Sequence, residues 1–131
     1  MATPNPYGCP SNPWLRGRIL LLNDDIIDEG NFVIVDTTTG EAQKGIPATA
    51  SRVCVGWAME SVDNSADGES VPVSCEPHAF YGKAGDLPTV IGATVYVWDA
   101  NTVMKTAGSN PVTAGTLLAI DGTKYYVRFN V

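Results

Sequence analysis

The sequence predicts an all-β fold: a small single-domain β-barrel or β-sandwich with short strands, preceded by an extended N-terminal arm. Three observations carry that expectation. From Arg16 onward, short β-branched and aromatic runs recur between clusters of turn residues, the pattern of a sandwich or barrel rather than of alternating β and α units. No stretch sustains the 3.6-residue apolar period of an amphipathic helix. Asp121-Gly122 stands between TLLAI and TKYYVRF, a strong short-range hairpin signal, because such a pair supplies the positive φ values of a type I′ turn.

The elements follow in chain order. Residues 1–15 form an arm carrying Pro4, Pro6, Pro10 and Pro13, and residues 16–131 form the β domain. Proline fixes φ and lacks the N–H that a helix or central strand needs, so the arm is expected to be extended. Strands are expected at Arg18–Leu22, Phe32–Val35, Val53–Glu60, Ser70–Cys75, Thr94–Trp98, Thr102–Lys105, Thr116–Ile120 and Lys124–Phe129. Turns fall at Asp36–Gly40, Asn64–Gly68 and Gly108–Pro111. Single helical turns are expected at Ile26–Glu29, capped by Asn23-Asp24-Asp25, and at Asp86–Ile91.

Alternation then assigns faces. Tyr125, Val127 and Phe129 share the inward face of the last strand, opposite Lys124, Tyr126 and Arg128, and Leu118 and Ile120 are expected to join the core from the partner strand. In Val53–Met59 the large Val53, Val55, Trp57 and Met59 alternate with Cys54, Gly56 and Ala58. That pattern fits a central strand with one side closely approached by a neighbour.

Composition limits the functional classes. The 131 residues carry 44% hydrophobic and 17% charged side chains, with Gly 13 and Pro 9, as expected of one folded domain with many turns. A formal net charge of −6 opposes binding to a phosphate backbone, so no nucleic-acid partner is expected. No apolar run approaches the roughly 18 residues of a membrane span, and MATPNPYGCPSNPW has neither a basic nor an apolar leader region, so no membrane partner is expected and synthesis is assigned to a cytoplasm.

Residues able to carry chemistry are few. Cys9, Cys54 and Cys75 are odd in number and widely spaced, so the two within strands are expected to be small buried side chains, with a disulfide or a reactive thiol as the alternative. His78 is the only histidine. A catalytic pair would have to join it to Ser74 or Cys75, and a partly exposed turn histidine after Pro77 is the expected role. Asp24, Asp25, Asp28 and Glu29 read as a solvated acidic turn. Asp63–Gly68 has the oxygen-rich start of a calcium loop, but Ser74 stands where the bidentate Glu belongs. With no Walker A, GxSxG, HExxH or GxGxxG motif, the chain is expected to be no enzyme, with no cofactor and no metal.

Three segments, Glu60–Gly68 (ESVDNSADG), Ile91–Thr106 (IGATVYVWDANTVMKT) and Ala114–Phe129 (AGTLLAIDGTKYYVRF), resemble in that order the decoration or cement proteins of tailed-phage capsids, a likeness running from about Gly30 to Phe129. The resemblance implies a structural virion protein on the outer capsid surface. Its implied partners are the major capsid protein and sister copies in a homotrimer. The family lends no catalytic residues. Contact to capsid or sister subunit is assigned to the arm through Tyr7, Pro10, Pro13 and Trp14, since aromatic side chains beside proline combine interface area with little entropy to lose. The competing expectation is a small carbohydrate-binding or host-surface-binding β module that uses Trp98, Tyr81 or Tyr7 as stacking platforms.

Overall fold

The computed structural model describes residues 18–20, 26–46, 51–65 and 68–130, with side chains from residue 26 onward. The described residues form strands and turns without a helix. The strands are β1 (Arg18–Leu20), β2 (Ile26–Ile27), β3 (Phe32–Asp36), β4 (Ala42–Lys44), β5 (Arg52–Ala58), β6 (Val62–Asp63), β7 (Ser70–Ser74), β8 (His78–Gly82), β9 (Thr94–Asp99), β10 (Thr102–Met104), β11 (Thr113–Asp121) and β12 (Lys124–Arg128).

These strands make two main units. The first is an antiparallel sheet in the order β1-β7-β5-β3-β4, so β5 is central, as its alternating sequence suggests. The second is a closed barrel in the order β10-β8-β12-β11-β9. Its ring is antiparallel except where β10 meets β8, through Thr102↔Tyr81 and Val103↔Gly82. The domain therefore combines a barrel with an open sheet, and closure leaves the barrel no unpaired edge.

One mouth of the barrel sits on the sheet. Strand directions bring the start of β8, the end of β12 and the β9–β10 turn to that end, and each meets β3 or β5. Phe32 of β3 stacks on Phe80 with ring centroids 3.7 Å apart, and both meet Phe129 edge-on. The Phe32 N–H donates to Ala100 O at 2.7 Å. Phe32, Phe80 and Phe129 belong to one continuous core with Val55, Val73, Val95, Val97, Leu117 and Val127. Burying such side chains contributes about 1.5–3 kcal/mol each, so the junction is part of the core rather than a hinge.

Local chemistry explains the turns and irregularities. Asp36 ends β3 and its Oδ1 accepts from the Thr38 N–H at 2.8 Å, while Gly40 N–H donates to Asp36 O, an Asx-type turn that returns the chain into β4. Arg52 across the sheet reaches Asp36 Oδ2 at 3.1 Å. The Thr38 N–H and, secondarily, the Arg52 guanidinium hold the Asp36 carboxyl below its ordinary value. In β5, Cys54 and Gly56 pair with the adjacent Ile34 and Val33, leaving Val55 as an extra residue; this bulge puts Cys54, Val55 and Gly56 all inside.

Several expectations are corrected. Ile26-Ile27 are not a helical turn: they pair with Val62-Asp63 as a two-stranded ribbon, β-branched residues suiting a strand that buries Ile27. Asp86–Ile91 is loop without helix, Pro88 lying inside it. His78 begins strand β8 rather than lying in a turn. At the C-terminal hairpin Asp121 pairs with Lys124, so the central turn residues are Gly122 and Thr123; Gly122 has φ 61° and Thr123 is not at positive φ, which is the II′ pattern, not I′. A register shift between Leu117 and Ala119 also breaks the alternation in β11. Leu117 is inside, whereas Leu118 and Ile120, expected in the core, are 45% and 40% exposed. Tyr125, Val127 and Phe129 are buried, as alternation requires.

Candidate functional site

The arm contacts assigned to Tyr7, Pro10, Pro13 and Trp14 lie outside the described residues, as do Asp24 and Asp25 of the acidic turn. The described candidates fall into three places: the junction between sheet and barrel, a cleft on the barrel wall, and the barrel's free mouth.

At the junction, the His78 ring stacks on Trp57 with centroids 4.1 Å apart and planes 11° from parallel, and meets Phe80 edge-on at 5.3 Å. Trp57 is itself fixed, its Nε1–H donating to Glu76 O at 3.0 Å. Burial of the imidazole holds the His78 pKa below its ordinary value, with the Glu29 carboxylate pulling the other way. The catalytic pairings open to this histidine in the sequence are not assembled around a free nucleophile. Ser74 is buried with its Oγ accepting from the Glu76 N–H at 3.2 Å, and Cys75 is disulfide-bonded. Cys75 is buried, as expected, and the bridge selects for it the disulfide alternative. Among the described residues Cys54 is the free thiol; it is buried, and desolvation pushes its pKa up to about 12, which keeps it in the unreactive protonated form.

The oxygen-rich loop after β6 is knitted by its own backbone. Asp63 Oδ1 accepts from the Ser65 N–H at 2.9 Å and from the Ser65 hydroxyl, and buried Asn64 accepts from the Glu69 N–H at 2.7 Å. Asp63 Oδ1 and Asn64 Oδ1 are thus engaged in turn bonds. Among the described residues no three His, Cys, Asp or Glu side chains gather where a metal could be held.

On the barrel wall, Trp98 projects from the outer face of β9, since Val95 and Val97 take the inner one. The Lys83 ammonium lies 4.1 Å from the centre of its ring, a cation–π contact. Together with Asp86, Met104 and Thr106 they line an open cleft of about 420 Å³. Asp86 is anchored there: its Oδ1 accepts from the Thr106 hydroxyl at 2.7 Å and its Oδ2 from the Thr106 N–H at 3.1 Å. Those bonds, the hydroxyl's first, hold its carboxyl below the usual range, aided by Lys105 and Lys83. Of the aromatic platforms expected for a carbohydrate module, Tyr81 is 58% exposed, Trp98 is half-buried beneath Lys83, and Tyr7 is outside the described residues.

The free mouth is the end of the barrel away from the sheet. It gathers the β8–β9 connection, the end of β10 and the β11–β12 hairpin. The connection is pinned at both ends. Asp86 N–H donates to Lys83 O and Lys105 N–H to Asp86 O, while the Gly92 N–H donates to Leu117 O at 2.8 Å and the Leu117 N–H to Ala93 O at 2.9 Å. Yet Leu87, Val90, Ile91, Leu118 and Ile120 are all exposed there, five of the nine large hydrophobic side chains exposed among the described residues. Sequence reasoning missed this cluster because it placed Leu118 and Ile120 in the core; adjacent Leu117 and Leu118 were the available signal, since one of two neighbouring strand residues must face outward.

No protein-family model, curated protein or solved structure matches the chain.

Proposed function

We propose that the chain is a decoration, or cement, protein: a structural subunit that binds the outer surface of an expanded tailed-phage head and stabilises the mature shell. The observation that carries the reading is where the resembling segments fall. Ile91–Thr106 holds β9 and β10, and Ala114–Phe129 holds most of β11 and all of β12, four of the five strands of one closed barrel. Glu60–Gly68 falls outside that barrel, on β6, so the likeness covers most of one folded unit and reaches beyond it.

The mechanism is linkage. A subunit that binds the mature lattice and not its loosened form stabilises that lattice by about 2.7 kcal/mol per site at a hundredfold excess over Kd, and repeated sites multiply the effect. Contacts between sister copies, in the proposed homotrimer, would let weak single contacts suffice. The major capsid protein is the proposed partner, and the outer capsid surface of the virion the proposed location. The proposal gives the protein no enzymatic role.

The test is co-sedimentation: the purified protein should travel with expanded heads and be absent from precursor shells. Equal binding to both, or to neither, refutes the reading. A form beginning at Leu15 tests the arm, since unchanged occupancy would remove Tyr7, Pro10, Pro13 and Trp14 from the contact. A small carbohydrate-binding module is the second reading, favoured by the cleft that holds Trp98, Lys83 and Asp86 and by exposed Tyr81. Binding on a glycan array that Trp98→Ala abolishes would select it.

A further inference from the structure

We infer that the free mouth of the barrel is a docking face, and that its occupant is an outer surface of the capsid protein with an apolar centre and a carboxylate rim. The inference deepens the decoration reading and rests on it. It differs from the arm contacts by assigning the interface to the folded barrel: Val90, Ile91, Leu118 and Ile120 at the centre, with Lys105 and Lys124 beside them.

Three observations converge on this face. The first is the exposed apolar cluster itself, which in a soluble domain marks a place of contact when it is concentrated rather than scattered. The second is its rigidity. Val90 and Ile91 lie within a connection latched through Asp86 to Thr106 and through Gly92 and Ala93 to Leu117, and Leu118 is turned outward by the bulge in β11. These side chains are held out by formed hydrogen bonds, so docking them costs little conformational entropy. The opposite mouth shows what the alternative looks like, its aromatics being buried against the sheet.

The third observation is charge. Residues 1–77 carry four Lys and Arg against eleven Asp and Glu, a net of −7, whereas residues 78–131 carry four against three, a net of +1. Among the described side chains, those of the sheet half carry two Lys and Arg against eight Asp and Glu, a net of −6, so the sheet half is acidic and the barrel half is not. Lys105 lines the mouth with Val90, and Lys124 stands in the hairpin across from Asp121, next to the Ile120–Tyr125 pair. An acidic partner would be repelled by the sheet half and accepted by the mouth, so charge orients the subunit with its barrel toward the lattice and its acidic sheet away. A copy docked mouth to mouth would instead set the same lysines against each other, which is why the capsid surface is the occupant assigned.

The experiment measures occupancy of purified expanded heads by the full chain and by surface variants, with melting temperature and sedimentation of each isolated protein as controls. Val90→Asp with Ile120→Asp should lower occupancy at least tenfold, and the milder Val90→Ser with Ile120→Thr severalfold, both melting like the parent. Lys105→Glu with Lys124→Glu should also lose occupancy, and Met59→Asp, on an exposed position of the sheet half, should not. If the parent binds heads and the mouth variants bind equally well, the docking face is refuted while the decoration reading stands. If the parent binds no heads, both fall. If the isolated parent sediments as an oligomer that the mouth variants dissociate, the occupant is a second copy and the assignment is overturned.

Discussion

The central strand makes a sharp prediction at Gly56. A β-carbon added there would lie 2.1 Å from Ser74 O, 2.9 Å from Ser74 C and 3.0 Å from Val73 Cγ1, and the first two of these are backbone atoms that no rotamer change can move. Real β-carbons stay beyond 3.0 Å, so Gly56→Ala must push β7 from β5 by roughly 1 Å. It would do so beside Trp57↔Ser74 and Ala58↔Val73, the pairing that joins the two strands. Overpacking of this kind costs about 1–3 kcal/mol. The φ of +149° adds about 1–3 kcal/mol for a residue with a side chain, giving about 2–6 kcal/mol in all. At about 2.1 cal/mol/K per residue, the unfolding entropy is about 0.28 kcal/mol/K, so the melting temperature should fall by about 7–21 °C. Gly122→Ala is the control, since Gly122 also has positive φ but nothing within 4 Å of an added β-carbon. It should cost about 1–2 kcal/mol, roughly 4–7 °C. Calorimetry of the three proteins decides the matter, and a Gly56→Ala variant that melts no lower than Gly122→Ala refutes the close-approach argument.

Three further outcomes are expected. Leu117→Ala should cost about 2–5 kcal/mol and Leu118→Ala at most about 1 kcal/mol by chemical denaturation, and the reverse order would mean that the bulge in β11 is misplaced. Because the folded His78 pKa is depressed below 6.5, the unfolded chain holds more protons in the interval between the two values. The stability contributed by neutral His78 is therefore complete above pH 6.5 and is lost as pH falls through the unfolded and then the folded pKa; melts between pH 7.5 and 5.5 should show this decline, and His78→Phe should flatten it. Asp86→Ala should raise amide exchange across residues 83–93 without unfolding the barrel, and acid should do the same as pH falls through the lowered Asp86 pKa; unchanged protection in the variant would dismiss the latch.

Much of the fold is legible where sequence signals are local and period-two. The alternation in TVYVWD and KYYVR places Val95, Val97, Tyr125 and Val127 inside, and the run around Gly56 announces a central, closely approached strand. What escapes is set by non-local pairing. Ala42–Lys44 looks polar but buries Ala42 and Gln43 because β3 recruits it as an edge partner. Ile26-Ile27 and Val62-Asp63 are each two residues long and become strands only by finding each other. Alternation also cannot foresee a bulge, and one extra residue in β11 turns Leu118 outward, whereas Ile120 keeps the face of Tyr125 and is exposed because it lies at the hairpin end of the strand. The candidate site is less legible than the fold for the same reason: the mouth cluster exists only once the 83–93 connection is tied to Thr106 and Leu117.

The aromatic stack at the junction has a mechanical meaning. Phe32 belongs to the sheet, while Phe80 and Phe129 belong to the barrel, and their contacts lie inside one uninterrupted core. Separating the two units would expose all three rings at once, so neither unit has a low-cost way to loosen alone, and the domain is expected to melt as one cooperative block. A load applied at the free mouth is then resisted by the whole domain.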